Sequence, residues 1–355
     1  MSAPGDDTGD TMTLPRIPIS VLDLASVGSG TTPAQALHDA VELGRRAERL
    51  GYHRFWVAEH HGMPGIASSS PPILIGQIAA ATTRMRVGSG GVMLPNHPPL
   101  VVAEQFGTLE AMFPDRIDLG IGRAPGTDPH TARALRRSTG PLSADDFPRQ
   151  LSELIAFFRG GFPDEHPYRT VVPVPGSGYE PEIWLLGSSG YSAQVAGLLG
   201  LRFAFAHHFS ADNTLPALDL YRQNFRPSPE LAEPYAMIAV SVVAADTDEQ
   251  ARWIARSGEL SFLQLRRGTP GLVPSPEEAA AFPYSEMELA VMDDRRADQA
   301  VGSPETVARR LAELLDQTQV DELMVTNIVH AHADRIRSLE IVRELFADDR
   351  AAAAG

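Results

Sequence analysis

The fold of this chain is decided by residues 86–126, RVGSGGVMLPNHPPLVVAEQFGTLEAMFPDRIDLGIGRAPG. Two strand signals, 86–93 and 117–122, end in glycine and polar residues and flank one amphipathic helical pattern. Two strands that are joined through a helix lie parallel to each other in the sheet. A connection of that length can return the chain to the end of the sheet at which the first strand began. We therefore expect a parallel sheet with its chemistry at the strand ends.

The same alternation of strand and helix signals continues from Ile17 onward in eight units. The predicted strands are 17–24, 54–59, 86–93, 117–122, 183–187, 203–207, 236–244 and 322–327. The predicted helices are 33–50, 72–83, 99–112, 145–158, 192–199, 214–225, 248–257 and 333–346, with an additional capped helix at 303–317. This pattern predicts an α/β protein of the (β/α)8 TIM-barrel class, with long insertion loops at 124–144, 160–181 and 258–302.

The composition excludes several classes of function. The 355 residues include 30 Lys and Arg against 45 Asp and Glu, which gives a formal net charge of −15. Such a charge repels a phosphate backbone or an anionic membrane surface, so we expect neither nucleic acid nor membrane as a partner. The chain has no cysteine, which excludes disulfides, iron–sulfur ligation and a thiol nucleophile.

The two ends of the chain differ from its middle. Residues 1–14 are acidic and lack the basic and apolar segments of a signal peptide, and no apolar run reaches membrane-spanning length. We predict a disordered N-terminal tail over 1–14, a single barrel domain over 15–347 and a flexible C-terminal tail over 348–355. We also expect the protein to be cytoplasmic.

Two histidines follow predicted strand two, in the order Glu59, His60, His61. Successive residues of a strand point to opposite sides, so at most one of the two histidines faces the barrel mouth. A neutral imidazole there could accept or deliver a proton near physiological pH, although a structural role explains the pair equally well. We predict no metal site, because HEXXH spacing and cysteine ligands are both absent.

Glycine-rich segments lie within predicted strand three and at the end of predicted strand four. The segment 88–91, GSGG, leaves a surface nearly free of side chains, which lets a planar ring approach the backbone, with an ordinary glycine bulge as the alternative. The segment 120–126, GIGRAPG, lacks GxGxxG spacing, and Pro125 interrupts the expected helix start, which disfavours a Rossmann loop. Arg123 could give an acidic protein the local positive charge that an anionic cofactor needs, or form a surface ion pair.

Predicted strand five runs into its helix through 187–192, GSSGYS. Small hydroxyl residues and free N–H groups at a helix N-terminus can hold a phosphate. An ordinary serine cap is the alternative interpretation of this segment.

Further polar residues follow predicted strands six and two. His207, His208, Ser68 and Ser69 are candidates for a substrate pocket, although loop capping or a solvated turn would also explain them. The arginine pair 295–296 lies in the longest insertion, where we expect a solvated charge pair.

Taken together, these motifs resemble the luciferase-like monooxygenase family. VGSGGVMLP, HPP and DRIDLGIGR occur here in the order found in bacterial luciferases, and EHH ends strand two in both. ISVLDLA, YHRFWVAEHH, MPGIASS and IGRAPGTD are most similar to the bacterial single-component, non-luminescent members of the family. The resemblance covers 17–346 and carries no implication of light emission.

The resemblance implies specific roles for the candidate residues. It makes His60 the catalytic residue, and it places a flavin against a cis peptide bond between Gly90 and Gly91. It makes Arg123 a ligand of the flavin phosphate. The other cofactor-binding residues that it implies are Ser188, Ser189, Gly190, Tyr191 and Ser192, with Gly190 and Tyr191 acting through backbone N–H groups. The chain has Gly122 where the luciferases have a cysteine and Ser188 where they have a glutamate, so these two contacts are expected to differ.

The activity implied by the resemblance is that of a flavin-dependent monooxygenase. Reduced FMN from a separate NAD(P)H:flavin reductase would react with O2 to a peroxyflavin that oxygenates a small organic substrate in a dry cavity. A homodimer is implied as well. The alternatives are an F420-dependent oxidoreductase of the same superfamily, a non-catalytic flavin-binding protein, and a metal-dependent barrel hydrolase. The histidines available to such a hydrolase are His60, His61, His207 and His208.

Overall fold

The structure, a computed structural model, describes residues 14–124, 126–136 and 146–347. The tails predicted over 1–14 and 348–355 lie outside the described residues, apart from Leu14. No helix within the described ranges is long and apolar enough to cross a membrane.

The described residues alternate strands and helices from end to end. The strands are β1 (Ile19–Asp23), β2 (Arg54–Val57), β3 (Arg86–Met93), β4 (Ile117–Gly122), β5 (Glu182–Gly187), β6 (Arg202–Phe205), β7 (Ala236–Ala244), β8 (Ala300–Gly302) and β9 (Glu322–Thr326). The helices are α1 (Pro33–Leu50), α2 (Pro71–Ala81), α3 (Pro99–Met112), α4 (Pro129–Arg136), α5 (Phe147–Arg159), α6 (Gly190–Leu199), α7 (Thr214–Asn224), α8 (Asp248–Arg266), α9 (Pro276–Ala281), α10 (Glu286–Ala297), α11 (Pro304–Thr318) and α12 (His332–Leu345).

Eight of these strands close into a parallel barrel. Their order is β6-β5-β4-β3-β2-β1-β9-β7, and β6 also pairs with β7, which completes the ring. The predicted (β/α)8 barrel is therefore confirmed. The short strand β8 is an addition, and it extends β7 at its C-terminal end, with Val242 opposite Ala300. Sequence patterns did not predict β8, because three residues are too few to show a strand period.

The insertion between α8 and α11 is more ordered than its sequence suggested. The helix predicted to stop at residue 257 continues to Arg266, and the helices α9 and α10 follow it. Both α9 and α10 begin with a capping box, on Ser275 and Ser285, in which serine and glutamate satisfy the first backbone N–H groups. Predicted strand two is shorter than expected and ends at Val57, which leaves His60 in the loop beyond it.

The interior of the barrel is filled in layers, because alternate residues of each strand point inward. On β2, Arg54 lies at the N-terminal end in an ion-pair cluster, with its Nη1 2.8 Å from Asp118 Oδ2 and its Nε 2.8 Å from Glu322 Oε1. Above it, the rings of Trp56 and Trp184 pack edge to face with centroids 5.3 Å apart. These layers close the N-terminal end, so space for a ligand is left at the C-terminal ends of the strands.

Candidate active site

A cavity of ≈ 350 Å³ lies above the tryptophan layer, within the size range of small-molecule sites. Its wall comes from the C-terminal ends of the barrel strands and from the helices α8 and α10. The sequence-predicted residues in this wall are His60, Gly90, Gly91, Arg123, Ser188, Ser189, Ser192 and His208. Residues that are far apart in sequence therefore meet at one site.

The glycine pair lies where β3 and β4 lose their regular register. Ser89 pairs with Leu119 and Val92 with Ile121, so that Gly90 and Gly91 together face the single residue between those partners, Gly120. The peptide bond between Gly90 and Gly91 is cis, as the resemblance implied. A Cβ added to Gly91 would lie 2.7 Å from the Gly120 carbonyl oxygen, and one added to Gly120 would lie 2.1 Å from that of Ser89. Glycine is required here because the two backbones approach closely, and the result is a smooth wall facing the cavity.

Arg123 follows β4 and lies beside the start of α6. Its guanidinium carbon is 4.2 Å from the ring centroid of Tyr191, and it forms no hydrogen bond or ion pair with another described residue. Ser189 is the N-cap of α6, yet its hydroxyl makes no capping hydrogen bond. A cation, a free hydroxyl and the first-turn N–H groups of a helix therefore converge at this end of the cavity. Gly190 and Tyr191 belong to that first turn but not to the cavity wall.

The protonation state of His60 is set by its surroundings. Its Nδ1 lies 3.1 Å from the carbonyl oxygen of Gly126, which can only accept, so Nδ1 carries the hydrogen and Nε2 keeps a lone pair. Burial disfavours the imidazolium and lowers the pKa of His60 below its usual 6.5. The side chain is therefore a neutral base in the cavity wall at neutral pH.

The neighbouring residues Glu59 and His61 face away from the cavity. Glu59 Oε1 lies 2.7 Å from His61 Nε2 and 2.8 Å from His97 Nε2, and its Oε2 accepts from the backbone N–H of Met93 at 2.9 Å. Although burial raises the pKa of Glu59, these hydrogen bonds outweigh it and keep the pKa below 4.5. These hydrogen bonds of Glu59 attach the loop that contains His60 to the end of β3 and to the turn that follows it. The sequence patterns did not predict the contribution of His97.

In the described part of the chain, Glu59, His61 and His97 form the group whose spacing could hold a metal ion, with ligand atoms within 4.8 Å of one another. Glu59 Oε1 already accepts hydrogen bonds from the Nε2 atoms of both histidines. None of the three belongs to the cavity wall.

Among the four predicted substrate-pocket residues, the structure places only His208 in the wall. Its Nδ1 lies 2.9 Å from the Ala239 carbonyl oxygen, and burial lowers its pKa from 6.5 to about 4. His207 points to the other side, where its Nδ1 is 2.8 Å from Thr214 Oγ1. Ser68 is buried with its hydroxyl donating to the Ala58 carbonyl oxygen, and Ser69 is exposed away from the cavity. The prediction that these four residues line one pocket therefore holds for His208 and is wrong for His207, Ser68 and Ser69.

The insertion contributes an arginine that sequence reasoning assigned to solvent. Arg295 on α10 lies in the cavity wall, with its guanidinium carbon 3.8 Å from the ring centroid of Phe262. Its neighbour Arg296 points outward and contacts Glu259 at 2.5 and 2.8 Å. The expected solvated pair is thus wrong for Arg295. Helical spacing could have predicted that Arg295 faces inward, because it follows the buried Met292 by three positions.

The chain is similar to several known monooxygenases over most of its length. A family model described as luciferase-like monooxygenase matches residues 17–322. A luciferase-like monooxygenase of Escherichia coli (strain K12) is 45% identical over 335 residues, which cover 94% of this chain and 98% of that protein. The N-acetyl-S-alkylcysteine monooxygenase of Bacillus subtilis (strain 168) is 35% identical over 335 residues, covering 92% and 98%. The crystal structure of apo-MsnO8 is 39% identical, with a TM-score of 0.82, and covers 93% of this chain and 98% of that chain.

More distant solved structures share the fold with different cofactors. The oxygenating constituent of 3,6-diketocamphane monooxygenase from Pseudomonas putida, in complex with FMN, is 20% identical with a TM-score of 0.67 and covers 93% of this chain and 97% of its own. An F420-dependent secondary alcohol dehydrogenase is 14% identical with a TM-score of 0.67 and covers 94% and 100%. At these identities the likeness shows the barrel alone.

Proposed function

The chain belongs to the luciferase-like monooxygenase family, and from this membership we propose that it uses reduced FMN and O2 to oxygenate a small organic substrate. The observation that carries the proposal is the convergence of Arg123, the serine-rich start of α6 and the glycine wall on one cavity. A flavin mononucleotide needs a phosphate cradle, a surface for its ring and a protected reaction space. The cavity offers residues suited to each.

The phosphate would be held at the end of the cavity formed by β4, β5 and α6. Arg123 has no carboxylate partner among the described residues, so its charge is free for an anion. Ser188, Ser189 and Ser192 line the same wall and can donate hydroxyl hydrogen bonds. The first-turn N–H groups of α6, including those of Gly190 and Tyr191, add backbone donors and the positive end of a helix dipole.

The flavin ring would lie against Gly90 and Gly91, whose backbone forms a wall without side chains. When bound, reduced FMN supplies the two electrons with which O2 yields one oxygen atom to the substrate and one to water. Apolar side chains such as Leu22, Leu24 and Ala58 limit water in the remaining space.

We assign proton transfer to His60. Its neutral imidazole lies in the cavity wall, with Nδ1 held by Gly126 and Nε2 available to accept a proton and return it. The Glu59 network fixes the loop that carries it, so the imidazole is positioned before a substrate binds.

The proposal includes two protein partners. A separate NAD(P)H:flavin reductase would supply reduced FMN, in keeping with the description of the 3,6-diketocamphane enzyme as an oxygenating constituent. A second copy of this chain would complete a homodimer. Large apolar side chains stand exposed on two adjacent barrel helices, Ile73 on α2 at 70% and Met112 on α3 at 65%, which favours self-association.

The test compares the two cofactors known for this fold. The protein is mixed without oxygen with photoreduced FMN or reduced F420, then exposed to O2 and a panel of aldehydes, ketones and thioethers. We expect binding of reduced FMN and O2 consumption that depends on a panel compound and yields an oxygenated product. Binding of F420 alone, with hydride transfer and no O2 consumption, would establish the F420-dependent alternative. Binding of FMN without product from any compound class would favour a non-catalytic flavoprotein.

A further inference from the structure

Arg295 is a partly buried cation in the cavity wall that the proposed flavin chemistry does not use. It lies on α10, one turn after the buried Met292, and therefore faces the barrel. Among the described residues, the cavity wall contains one other arginine, Arg123, which lies beside the start of α6. Arg295 comes from α10 instead, and it lines the same cavity as His208, which follows β6.

The guanidinium of Arg295 has no counter-anion among the described residues. It forms no hydrogen bond or ion pair there, and its Nε is buried without any partner. The nearest acidic groups are Glu259 and Asp298. Glu259 is already bound by Arg296 through two nitrogen atoms, and Asp298 is exposed at the C-terminus of α10. Because the Nε atom of this partly buried arginine has no hydrogen-bond partner, a bound anion is favourable at this position.

The surroundings of Arg295 orient it for such an anion. Phe262 packs against the guanidinium at 3.8 Å, so the ring covers one face and leaves the N–H edge for an acceptor. Thr326 Oγ1, also in the cavity wall, is buried without a hydrogen-bond partner. The space between these polar atoms is bordered by apolar side chains, among them Ala239, Val243 and Ile328.

We propose that Arg295 binds the carboxylate of the substrate, and that the substrate is an organic acid whose apolar part occupies the rest of the cavity. This inference rests on the proposed function, since it names the substrate class of the same site. The planar fork of arginine matches a carboxylate through two parallel N–H···O bonds, while the apolar wall receives a hydrocarbon chain or ring. Arg295 is thus a specificity-determining residue, and the oxygenated atom belongs to the apolar part.

The test measures binding, so that it does not depend on flavin chemistry. The purified protein, with and without FMN, is titrated with octanoate and with octanamide, which match in length and differ in charge, by calorimetry. We expect octanoate to bind at least roughly tenfold more tightly, the effect of a charge-assisted hydrogen bond. Arg295→Met should abolish this preference, and Arg295→Lys should retain part of it.

The matched control is Arg266→Met. Arg266 contacts the same aromatic ring, at 5.7 Å from the Phe262 centroid, but it is exposed and lies outside the cavity wall. This variant should keep the preference for octanoate. Equal affinity of the unmodified protein for the two probes would overturn the proposal without need of any variant. So would an undiminished preference in Arg295→Met, which would point to binding at Arg123. If the protein failed to bind FMN but still preferred octanoate in a way that depends on Arg295, only the proposed function would be refuted.

Discussion

The guanidinium of Arg123 lies 4.2 Å from the ring centroid of Tyr191, which places a cation from the end of β4 over the first turn of α6. The aromatic ring holds the side chain without neutralising its charge. In a protein with a formal net charge of −15, this contact places a positive charge beside a helix N-terminus, where backbone N–H groups also point outward.

Replacing this cation should weaken FMN binding. Arg123→Met removes a charge-assisted contact to the phosphate, so we expect the Kd for FMN to rise roughly 10- to 100-fold. Quenching of flavin fluorescence measures it, and riboflavin, which lacks the phosphate, should bind both proteins equally. An unchanged Kd for FMN in the variant would exclude Arg123 from the cradle.

Replacing His60 should impair turnover and leave the flavin bound. Without its Nε2 lone pair, proton transfer loses a positioned base, and we expect His60→Ala to lower kcat by roughly 100-fold or more. Flavin fluorescence should give an FMN affinity within about twofold of the original, since no FMN contact is assigned to His60. His130→Ala, on the exposed side of α4, is the matched control. Equal product formation by His60→Ala would remove His60 from the mechanism.

The ion-pair cluster at the closed end of the barrel should dominate local stability. Asp118 accepts hydrogen bonds from Arg54, Trp56 and Arg86 at 2.7–2.8 Å and is fully buried. Removing one partner of a buried ion pair costs about 3–5 kcal/mol, so urea unfolding of Asp118→Ala should show a loss of that size. Asp246→Ala breaks an exposed pair with Arg337 and should cost no more than about 1 kcal/mol. Similar losses in the two variants would contradict this account.

Acid should destabilise the protein in part through His208. Its pKa is lowered from 6.5 to about 4 in the folded state, because burial disfavours the imidazolium. Between these values the unfolded chain binds a proton that the folded chain does not, so stability falls as the pH decreases from 6.5 towards 4.

His208→Gln removes this linkage. Between about pH 7.5 and 5 the free energy of unfolding should fall by about 2 kcal/mol less in the variant than in the original protein. His207 and His60 also have lowered pKa values, so some acid sensitivity should persist. The same dependence in His208→Gln would show that His208 is not buried in its neutral form.

The barrel could be predicted from sequence because its strands and helices repeat with clear periods. β3, β4 and β7 have the predicted bounds, and the short β8 was missed because it lacks a period. The place of His60 and Arg123 in the cavity wall could be predicted because both stand just beyond strand ends, where barrel sites form, and because both belong to motifs of the family resemblance.

Other parts of the site depend on packing that sequence patterns do not determine. His207 and His208 are adjacent, yet one contacts Thr214 and the other the cavity, and the direction depends on how the strand end turns. Arg295 and Arg296 are also adjacent, and only their position on α10 decides which one faces inward. That helix lies in an insertion whose polar sequence resembles a solvated loop.

The most direct test of the central claim is isotope labelling of the product. The protein is supplied with reduced FMN and 18O2 in the presence of the substrate panel, and the products are examined by mass spectrometry. The account predicts one 18O atom in each product molecule formed, and a smaller amount of labelled product when Arg123→Met is tested at low FMN concentration. Products without 18O, or products formed equally well under nitrogen, would contradict a monooxygenase.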